Sequence, residues 1–260
     1  MDATLPAFRH QKFVTHPAIQ LTYAILLSKQ FIKCFQLIKQ KKMSAADIIV
    51  GITSGIFITD LCSGIFHIIT DITSDDKDKE KSIAGNHHVD TLNYNDMKLS
   101  DMIFAGTATS IVNLAPLQLL NDTKIKSTKL DVIILTGYLL STAVMWSHTQ
   151  SHKRNHFDAD DIHPFVAWLQ DKHLLLHPSE HRPHHSNNHN SDFGLLNNWS
   201  APLLNVFSRK FVKAMPLTKE EEWLRTKYCT DRKDKMKQTS SSSQKSPSSS
   251  FWKKMTSACC

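Results

Sequence analysis

The stretch AADIIVGITSGIFITDLCSGIFHIIT, residues 45–70, decides the fold of this chain. A helix needs about 20 mainly apolar residues to cross the ~30 Å hydrocarbon core of a bilayer. The stretch is longer than that, and its only residues with a full formal charge are Asp47 and Asp60. It therefore predicts a helix that crosses a membrane.

Three other windows extend this pattern. MIFAGTATSIVNLAPLQLL (residues 102–120) and VIILTGYLLSTAVMWSHT (residues 132–149) predict two more transmembrane helices. AIQLTYAILLSKQFIKCFQLI (residues 18–38) contains Lys29 and Lys33, so it either spans with lysines that reach the headgroups or lies in the interface. No window has a charged helical face, which disfavours a soluble bundle. The predicted fold class is all-α, a polytopic membrane helix bundle of three to four transmembrane helices with a cytosolic, His-rich helical cap.

The average composition conceals this organisation. A hydrophobic content of 41% and a mean hydropathy of −0.29 describe a soluble protein, but the apolar residues are bunched into a few runs. We expect an N-terminal tail over residues 1–16, a membrane domain over 17–214, and a basic, Ser-rich, largely disordered tail over 215–260. FVAWLQDKHLLL (residues 165–176) predicts an amphipathic, interfacial helix with Trp168 near the headgroups.

Charge and cysteine usage narrow the classes of protein. The formal net charge is +7, and the basic excess lies mainly after Ser208, which suits an anionic membrane surface. Interleaved aromatic residues and a nucleic-acid-binding motif are lacking, so we expect no nucleic-acid partner. The five cysteines show no CxxC spacing, which argues against a zinc knuckle, and Cys259 and Cys260 are either acylated or plain terminal thiols. The first fifteen residues predict neither a signal nor a transit peptide.

The histidines are concentrated in one part of the chain. Ten of the fifteen fall between His148 and His189. If the three apolar windows cross the membrane in alternating directions, one side collects the histidines near the window ends and in the HxxHH cluster, namely His67, His87, His88, His148, His181, His184 and His185. An ionisable residue at a membrane helix end predicts function, because burying it without a partner is costly.

The spacing of these histidines indicates metal chemistry. Residues at i, i+3 and i+4 share one helix face, so His181, His184 and His185 can aim at one point, and His148 and His152 form a similar HxxxH pair. Neutral imidazoles bind Fe, Zn, Cu and Ni. About six to eight of these imidazoles can converge, which is more than the roughly four ligands that one tetrahedral ion takes. The histidines therefore predict two metal ions. The alternative for a single His-rich tract is a polar loop.

Three acidic residues lie near these histidines. Asp71 follows His67 by four residues and is either a metal ligand, a residue that orients His67, or an ordinary helix-end residue. Asp60 interrupts an apolar run seven residues before His67, so a role at the site is the stronger reading. Asp90 is a ligand or a loop residue.

Five short motifs resemble the Kua-type lipid desaturases in order and approximate spacing. They are TDLCSGIFHIITD (59–71), NHHVD (86–90), WSHT (146–149), LQDKHLLL (169–176) and HRPHH (181–185). That family includes animal and bacterial plasmanylethanolamine desaturases and a plant plastid desaturase that acts on phosphatidylglycerol acyl chains. The resemblance covers roughly residues 47–204.

The resemblance implies a membrane-embedded di-iron enzyme that uses O2 to remove two hydrogens from a phospholipid chain, with cytochrome b5 and its reductase as electron donors. Carried over by position, the implied metal ligands are His67, His87, His88, His148, His181, His184 and His185. Further candidates as ligands or orienting residues are His152, His173, Asp71 and Asp60.

WSHT, HHVD and His173 resemble the plasmanylethanolamine branch, whose product carries the vinyl ether bond of plasmalogens. We therefore expect an endoplasmic reticulum membrane protein. The basic residues Lys39, Lys41 and Lys42 and the basic C-terminal tail favour opposite orientations, and the longer tail and the electron donor place the histidines in the cytosol. The alternatives are a fatty-acyl desaturase or hydroxylase acting on another phospholipid, and a non-catalytic metal-binding membrane protein.

Several positions depart from the family pattern. Val144 stands where the family usually has a histidine four residues before His148, unless His152 supplies that ligand one turn later. Thr91 replaces a usual proline, and ITSDD (residues 72–76) replaces a Gly-Ser after Asp71. Pro183 resists a helix interior, so we expect the cluster either to begin a helix near Pro183 or to be kinked there. These departures favour a divergent enzyme or an inactive relative.

Overall fold

The computed structural model describes residues 17–73, 99–156, 162–186 and 190–211, together with Lys219 and Thr226. Within these ranges the chain forms α-helices, one π-helical turn and coil, with no β-strand. The helices are α1 (Pro17–Lys39), α2 (Ala45–Thr73), α3 (Leu99–Leu120), α4 (Thr128–His156), α5 (Pro164–Asp171), α6 (Pro178–Ser186) and α7 (Ala201–Phe211), and the π-helical turn is Asn121–Ile125.

Three of these helices are long and apolar enough to cross a membrane. The spans are Ala45–Ile72, Leu99–Ile125 and Thr128–Arg154, with mean hydropathies of 1.8, 1.4 and 1.5. The predictions of an all-α chain and of three membrane-crossing helices are confirmed. The N-terminal tail, the C-terminal tail apart from Lys219 and Thr226, and the segment with His87 and His88 lie outside the described residues, as do the terminal cysteines.

Small residues let α2 and α4 pack closely. A Cβ placed on Gly51 would lie 2.5 Å from Val132 Cβ, and one on Gly55 would lie 2.6 Å from Thr136 Cβ, so only glycine fits. The two contacts advance by four residues on each helix, which makes α2 and α4 parallel. Their C-terminal ends, which carry the candidate ligands, therefore lie at the same end of the bundle.

Helix α3 runs in the opposite direction. Near its start, Met102 Sδ accepts a hydrogen bond from Thr149 Oγ1 at 3.9 Å. Near its end, Gln118 Oε1 accepts one from Tyr138 Oη at 3.0 Å. Early residues of α3 thus meet late residues of α4, as expected for a chain that crosses, returns and crosses again.

Helix α1 also packs antiparallel to α4, and its lysines are paired. Lys33 Nζ lies 2.6 Å from Asp122 Oδ1 and 2.7 Å from Asp131 Oδ1. Lys29 Nζ lies 2.8 Å from Asp122 Oδ2. The acidic partners come from the start of α4 and from the turn before it. The two lysines are therefore accommodated by ion pairs within the bundle and not only by reaching the lipid headgroups. Helix α1 is not among the three helices that are long and apolar enough to cross a membrane.

Helices α5, α6 and α7 and the coil of residues 190–200 cap the end of the bundle where α2 and α4 terminate. Pro164 begins α5, and His163 Nδ1 accepts the Phe165 N–H at 3.2 Å. Phe165 and Trp168 stack on the exposed side, while Val166 and Gln170 are buried. The helix is amphipathic as predicted, but it ends at Asp171, so residues 172–176 of the predicted helix lie outside it.

Of the two alternatives for the HxxHH cluster, a helix that begins near Pro183 is wrong, and a kink at Pro183 stays a prediction. Helix α6 begins at Pro178, five residues earlier, and continues through Pro183 to Ser186. Pro178 suits the first helical position, because its fixed φ matches the helix and its missing N–H would have no intrahelical acceptor there. Pro183 lacks the N–H that would have donated to the Ser179 carbonyl, and the helix continues despite this lost bond.

Candidate metal centre

Three helices each supply one pair of potential ligands four residues apart. Because residues at i and i+4 lie on one helix face, each pair points in a single direction. The pairs are His67 and Asp71 from α2, His148 and His152 from α4, and His181 and His185 from α6, and α6 adds His184. The parallel arrangement of α2 and α4 is what brings the first two pairs together.

The four-histidine group consists of His148, His152, His181 and His185. The Nε2 atom of His148 lies 2.8 Å from Nε2 of His181 and 3.0 Å from Nε2 of His152. The Nε2 atoms of His181 and His185 are 2.9 Å apart. All four side chains are buried. Four ring nitrogens therefore converge on one point in the protein interior.

This pattern suits a cation better than a chain of hydrogen bonds. A neutral imidazole carries at Nε2 either one N–H or one lone pair. His148 Nε2 faces two neighbours, and so does His181 Nε2, so neither atom can satisfy both neighbours. A metal ion at the centre accepts a lone pair from every nitrogen. The donor set thus fits a metal ion.

The His–Asp group consists of His67, Asp71 and His184. Asp71 Oδ2 lies 3.5 Å from His67 Nε2 and 3.6 Å from His184 Nε2. The two rings are 4.5 Å apart between centroids. The side chains of Asp71 and His184 are fully buried, and a buried carboxylate requires a cation or a proton. Two imidazoles and one carboxylate form a second potential metal site.

Backbone carbonyls orient both rings of the His–Asp group. His67 Nδ1 lies 3.3 Å from the Phe193 carbonyl oxygen, and His184 Nδ1 lies 2.9 Å from that of Ser191. A carbonyl only accepts, so in each ring Nδ1 donates and Nε2 keeps its lone pair. Both lone pairs then face Asp71, which is the arrangement of metal-binding histidines that are held by an outer hydrogen bond.

The two groups adjoin through α6. His181 and His184 stack with ring centroids 5.5 Å apart, although they belong to different groups, and His67 and His148 lie 6.0 Å apart. The HxxHH cluster is thus divided, with His181 and His185 in the four-histidine group and His184 in the His–Asp group. Neighbouring sites of this kind can act on one bound molecule together.

The position of Val144 explains how four histidines assemble without a histidine there. Val144 is buried against Leu195 and Leu196 in an apolar cluster. The structure instead brings His152, one turn after His148, into the four-histidine group. The departure at Val144 therefore leaves this group with four imidazoles.

Other candidate residues lie away from both groups. Asp60 accepts backbone N–H groups from Leu196, Asn197, Asn198 and Ser200. His173 Nδ1 pairs with Glu180 Oε1 at 2.9 Å, and its side chain is half exposed. His177 lies 3.7 Å from Asp171, and partial burial together with the Arg154 charge lowers the pKa of its imidazole. His87, His88 and His189 lie outside the described residues.

The coil NSDFGLLNNWS, residues 190–200, contributes to the site without supplying a ligand. Its carbonyls orient His67 and His184, and Ser147 Oγ donates to the Leu196 carbonyl at 2.7 Å. The sequence motifs do not identify this coil, because it contains no ligand-type pattern. Its Asn, Asp, Gly and Ser content indicated only a loop.

Comparison with known proteins identifies the family of the chain. Residues 56–216 match the model of the lipid desaturase domain family, and this region contains both ligand groups and the coil that orients them. No curated protein and no solved structure matches the chain. Since the match covers more than half of the 260 residues, the chain belongs to the lipid desaturase domain family.

Proposed function

We propose that the chain is an O2-dependent di-iron desaturase that converts plasmanylethanolamine to plasmenylethanolamine. Family membership implies a lipid-acting oxidoreductase, and the buried ligand groups fit a metal-dependent one. The single observation that carries the proposal is the pair of adjoining ligand groups at one end of three membrane-crossing helices.

Each ligand group would hold one iron. The four-histidine group would bind the first ion through four imidazoles, and the His–Asp group would bind the second through His67, Asp71 and His184. His87 and His88 are proposed as additional ligands on the basis of the NHHVD resemblance. The His–Asp group offers three described side chains, so an iron bound there would have coordination positions left for further ligands.

Two irons bound there would supply the activation of O2 and the removal of hydrogen from an unactivated CH2 group. The reaction balances when the lipid loses two hydrogens, two electrons and two protons are supplied, and O2 leaves as two waters. The chain's own part is to hold the rings. The Phe193 and Ser191 carbonyls fix the tautomers of His67 and His184, and burial of the ligands excludes bulk water.

Three parts of the proposal rest on the sequence. WSHT, HHVD and His173 support the vinyl ether product over an acyl double bond. The need for electrons supports cytochrome b5 and its reductase as partners. The basic C-terminal tail supports a cytosolic orientation of the histidines in the endoplasmic reticulum membrane.

Lipid analysis in cells that lack plasmalogen synthesis tests the proposal. Wild type should restore vinyl ether lipids, and His184→Ala should not. His177→Ala is the matched control, because His177 lies on the same short segment but outside both ligand groups. If neither wild type nor the His177→Ala control restores vinyl ether lipids, the plasmanylethanolamine assignment is wrong.

The same lipid extracts separate the alternatives. A desaturase product differs from its substrate by the loss of two hydrogens, and a hydroxylase product by the gain of one oxygen. A new double bond in an acyl chain would instead assign another phospholipid substrate. A non-catalytic metal-binding membrane protein is the other alternative, and purified protein that holds zinc or no metal would support it.

A further inference from the structure

Asp60 lies in α2, seven residues before His67, and its side chain is fully buried. Its Oδ1 accepts three backbone N–H groups at 3.0, 3.1 and 3.2 Å, those of Leu196, Asn197 and Asn198. Its Oδ2 accepts the N–H of Ser200 at 2.9 Å and the hydroxyl of Ser200 at 2.6 Å. One carboxylate therefore receives five hydrogen bonds from a single stretch of chain.

These bonds make Asp60 unsuited to bind metal and well suited to hold the coil of residues 190–200. The five donors occupy the lone pairs of both oxygens. The coil has no regular structure, so its buried N–H groups need acceptors from elsewhere. Asp60 supplies them at a depth where an unsatisfied N–H would cost about 1–3 kcal/mol.

The backbone of the coil is shaped around this carboxylate. Asp192 and Asn198 adopt left-handed φ values of 59° and 60°. A Cβ on Gly194 would lie 2.9 Å from Asp60 Oδ2 and 2.7 Å from the Asn198 Cα, so only glycine permits the approach. The conformation of the coil thus depends on contact with Asp60.

The same coil presents the two carbonyls that orient the His–Asp group. Phe193 is flanked by Asp192 and Gly194, the two residues whose backbone is constrained, and its carbonyl accepts the Nδ1–H of His67. The Ser191 carbonyl accepts the Nδ1–H of His184. A shift of the coil would free both rings to rotate or to change tautomer.

We propose that Asp60 is a positioning residue for the His–Asp group. Its carboxylate fixes the coil, and the coil fixes the rings of His67 and His184 with their Nε2 lone pairs facing Asp71. The Ser191 and Phe193 carbonyls contact His184 and His67, so we expect the main effect of Asp60 to fall on the His–Asp group. This inference rests on the proposed two-metal function and assigns a residue to one half of it.

The variant Asp60→Asn tests this role in the full-length protein in detergent, with Co²⁺ as the probe metal. Asparagine keeps one acceptor oxygen but replaces the second carboxylate oxygen with an NH2 donor. This NH2 group then faces the N–H groups or the hydroxyl that donated to the lost oxygen. Wild type should bind about two Co²⁺ per chain, and the variant should bind one with near wild-type affinity. The affinity for the other should fall about 10- to 100-fold, as for the loss of other outer hydrogen bonds to metal ligands.

The visible absorption of Co²⁺ shows which group is affected, because His185→Ala and His184→Ala provide reference spectra for each group alone. Asp60→Asn should resemble His184→Ala, with its remaining band that of the four-histidine group. Ser63→Ala is the matched control, because Ser63 is a buried residue one turn away that donates only to the Asp60 backbone carbonyl. It should bind both ions like wild type.

If Asp60→Asn does not fold, Ser200→Ala decides the question. It removes only the hydroxyl that donates to Asp60 Oδ2, and it should weaken Co²⁺ binding in the same group by a smaller factor. Equal weakening at both groups, or unchanged binding at both, in whichever variant folds would overturn the proposal. Failure of the proposed function looks different, because wild type would then make no desaturated lipid while the selective loss of one Co²⁺ site persisted.

Discussion

The Nε2 atoms of His148 and His181 lie 2.8 Å apart, although 33 positions separate the two residues in the chain. His148 belongs to a membrane-crossing helix, and His181 belongs to the short helix α6 of the cap. Their contact joins the cap to the bundle through groups that carry lone pairs. A metal ion bound by both imidazoles would stabilise the packing of the cap on the bundle.

Removal of metal should therefore loosen the cap. A metal that binds only the folded protein stabilises it by mass action, so a chelator should lower the midpoint of thermal unfolding of wild type. The double variant His184→Ala/His185→Ala should show a low midpoint that the chelator does not change. An equal response of both proteins to the chelator would argue that the stabilising metal binds elsewhere.

The position of the fourth histidine, at residue 152 and not at residue 144, gives a second prediction. His152→Ala should abolish desaturation, because it removes one of four converging imidazoles. Adding Val144→His to that variant should not restore activity, because position 144 packs against Leu195 and Leu196. Burying an imidazole there should also destabilise the protein by about 2 kcal/mol.

Lipid product and unfolding in detergent measure both effects. Exchange of the exposed residue His163 for alanine provides a histidine control that should remain active. Restored activity in the double variant would show that position 144 reaches the metal centre after all.

The ion pairs of α1 give a prediction about stability. Asp131 is almost fully buried, and it accepts from Lys33 at 2.7 Å, from Asn121 Nδ2 at 2.7 Å and from Gln30 Nε2 at 3.1 Å. Asp131→Ala should lower the free energy of unfolding by about 2 kcal/mol, because the buried amides of Gln30 and Asn121 lose an acceptor, while Lys33 keeps its ion pair with Asp122. Lys29→Ala, which removes a well-exposed partner of Asp122, should have little effect.

Unfolding in mixed detergent micelles measures this difference. Because Asp131 lies at the end of the bundle far from the ligand groups, metal content should stay unchanged in both variants. A similar small effect of both substitutions would show that α1 is held by its apolar contacts alone.

The glycines between α3 and α4 give a graded prediction. A Cβ on Gly106 would collide with the backbone carbonyl of Ser141, whereas one on Gly137 would meet the end of the Leu114 side chain at 2.9 Å. Backbone cannot yield as a leucine methyl can. Gly106→Ala should therefore destabilise the bundle by about 2 kcal/mol and Gly137→Ala by about 1 kcal/mol or less. The reverse order in detergent unfolding would contradict the close approach of α3 to α4.

The membrane helices could be predicted from sequence because their signal is local. Apolar length alone identifies α2, α3 and α4. Because α1 contains two lysines, the sequence could not decide whether this helix spans the membrane or lies in the interface. The partners of these lysines, Asp122 and Asp131, are about 90 to 100 residues away and become neighbours only in the folded chain. The helix that contains Pro183 was placed too late because Pro178 also suits a helix start.

The candidate site was partly predictable for a related reason. Alternating spans put His67, His148 and the HxxHH cluster at one end of the bundle, and the structure brings them together there. Their division into two groups depends on the rotation of α6 against α2 and α4, which no spacing rule contains. The contact of Asp60 with residues 196–200 was equally invisible, because it joins positions about 140 residues apart without a ligand-type motif.

The iron content of the purified full-length protein tests the two-metal centre most directly. Wild type should hold about two irons per chain, and each single variant of the adjacent residues His184 and His185 to alanine should retain about one, from different groups. The double variant should hold close to none, and His177→Ala should match wild type. Wild-type protein that holds zinc or no metal, or single variants that keep both irons, would contradict the account.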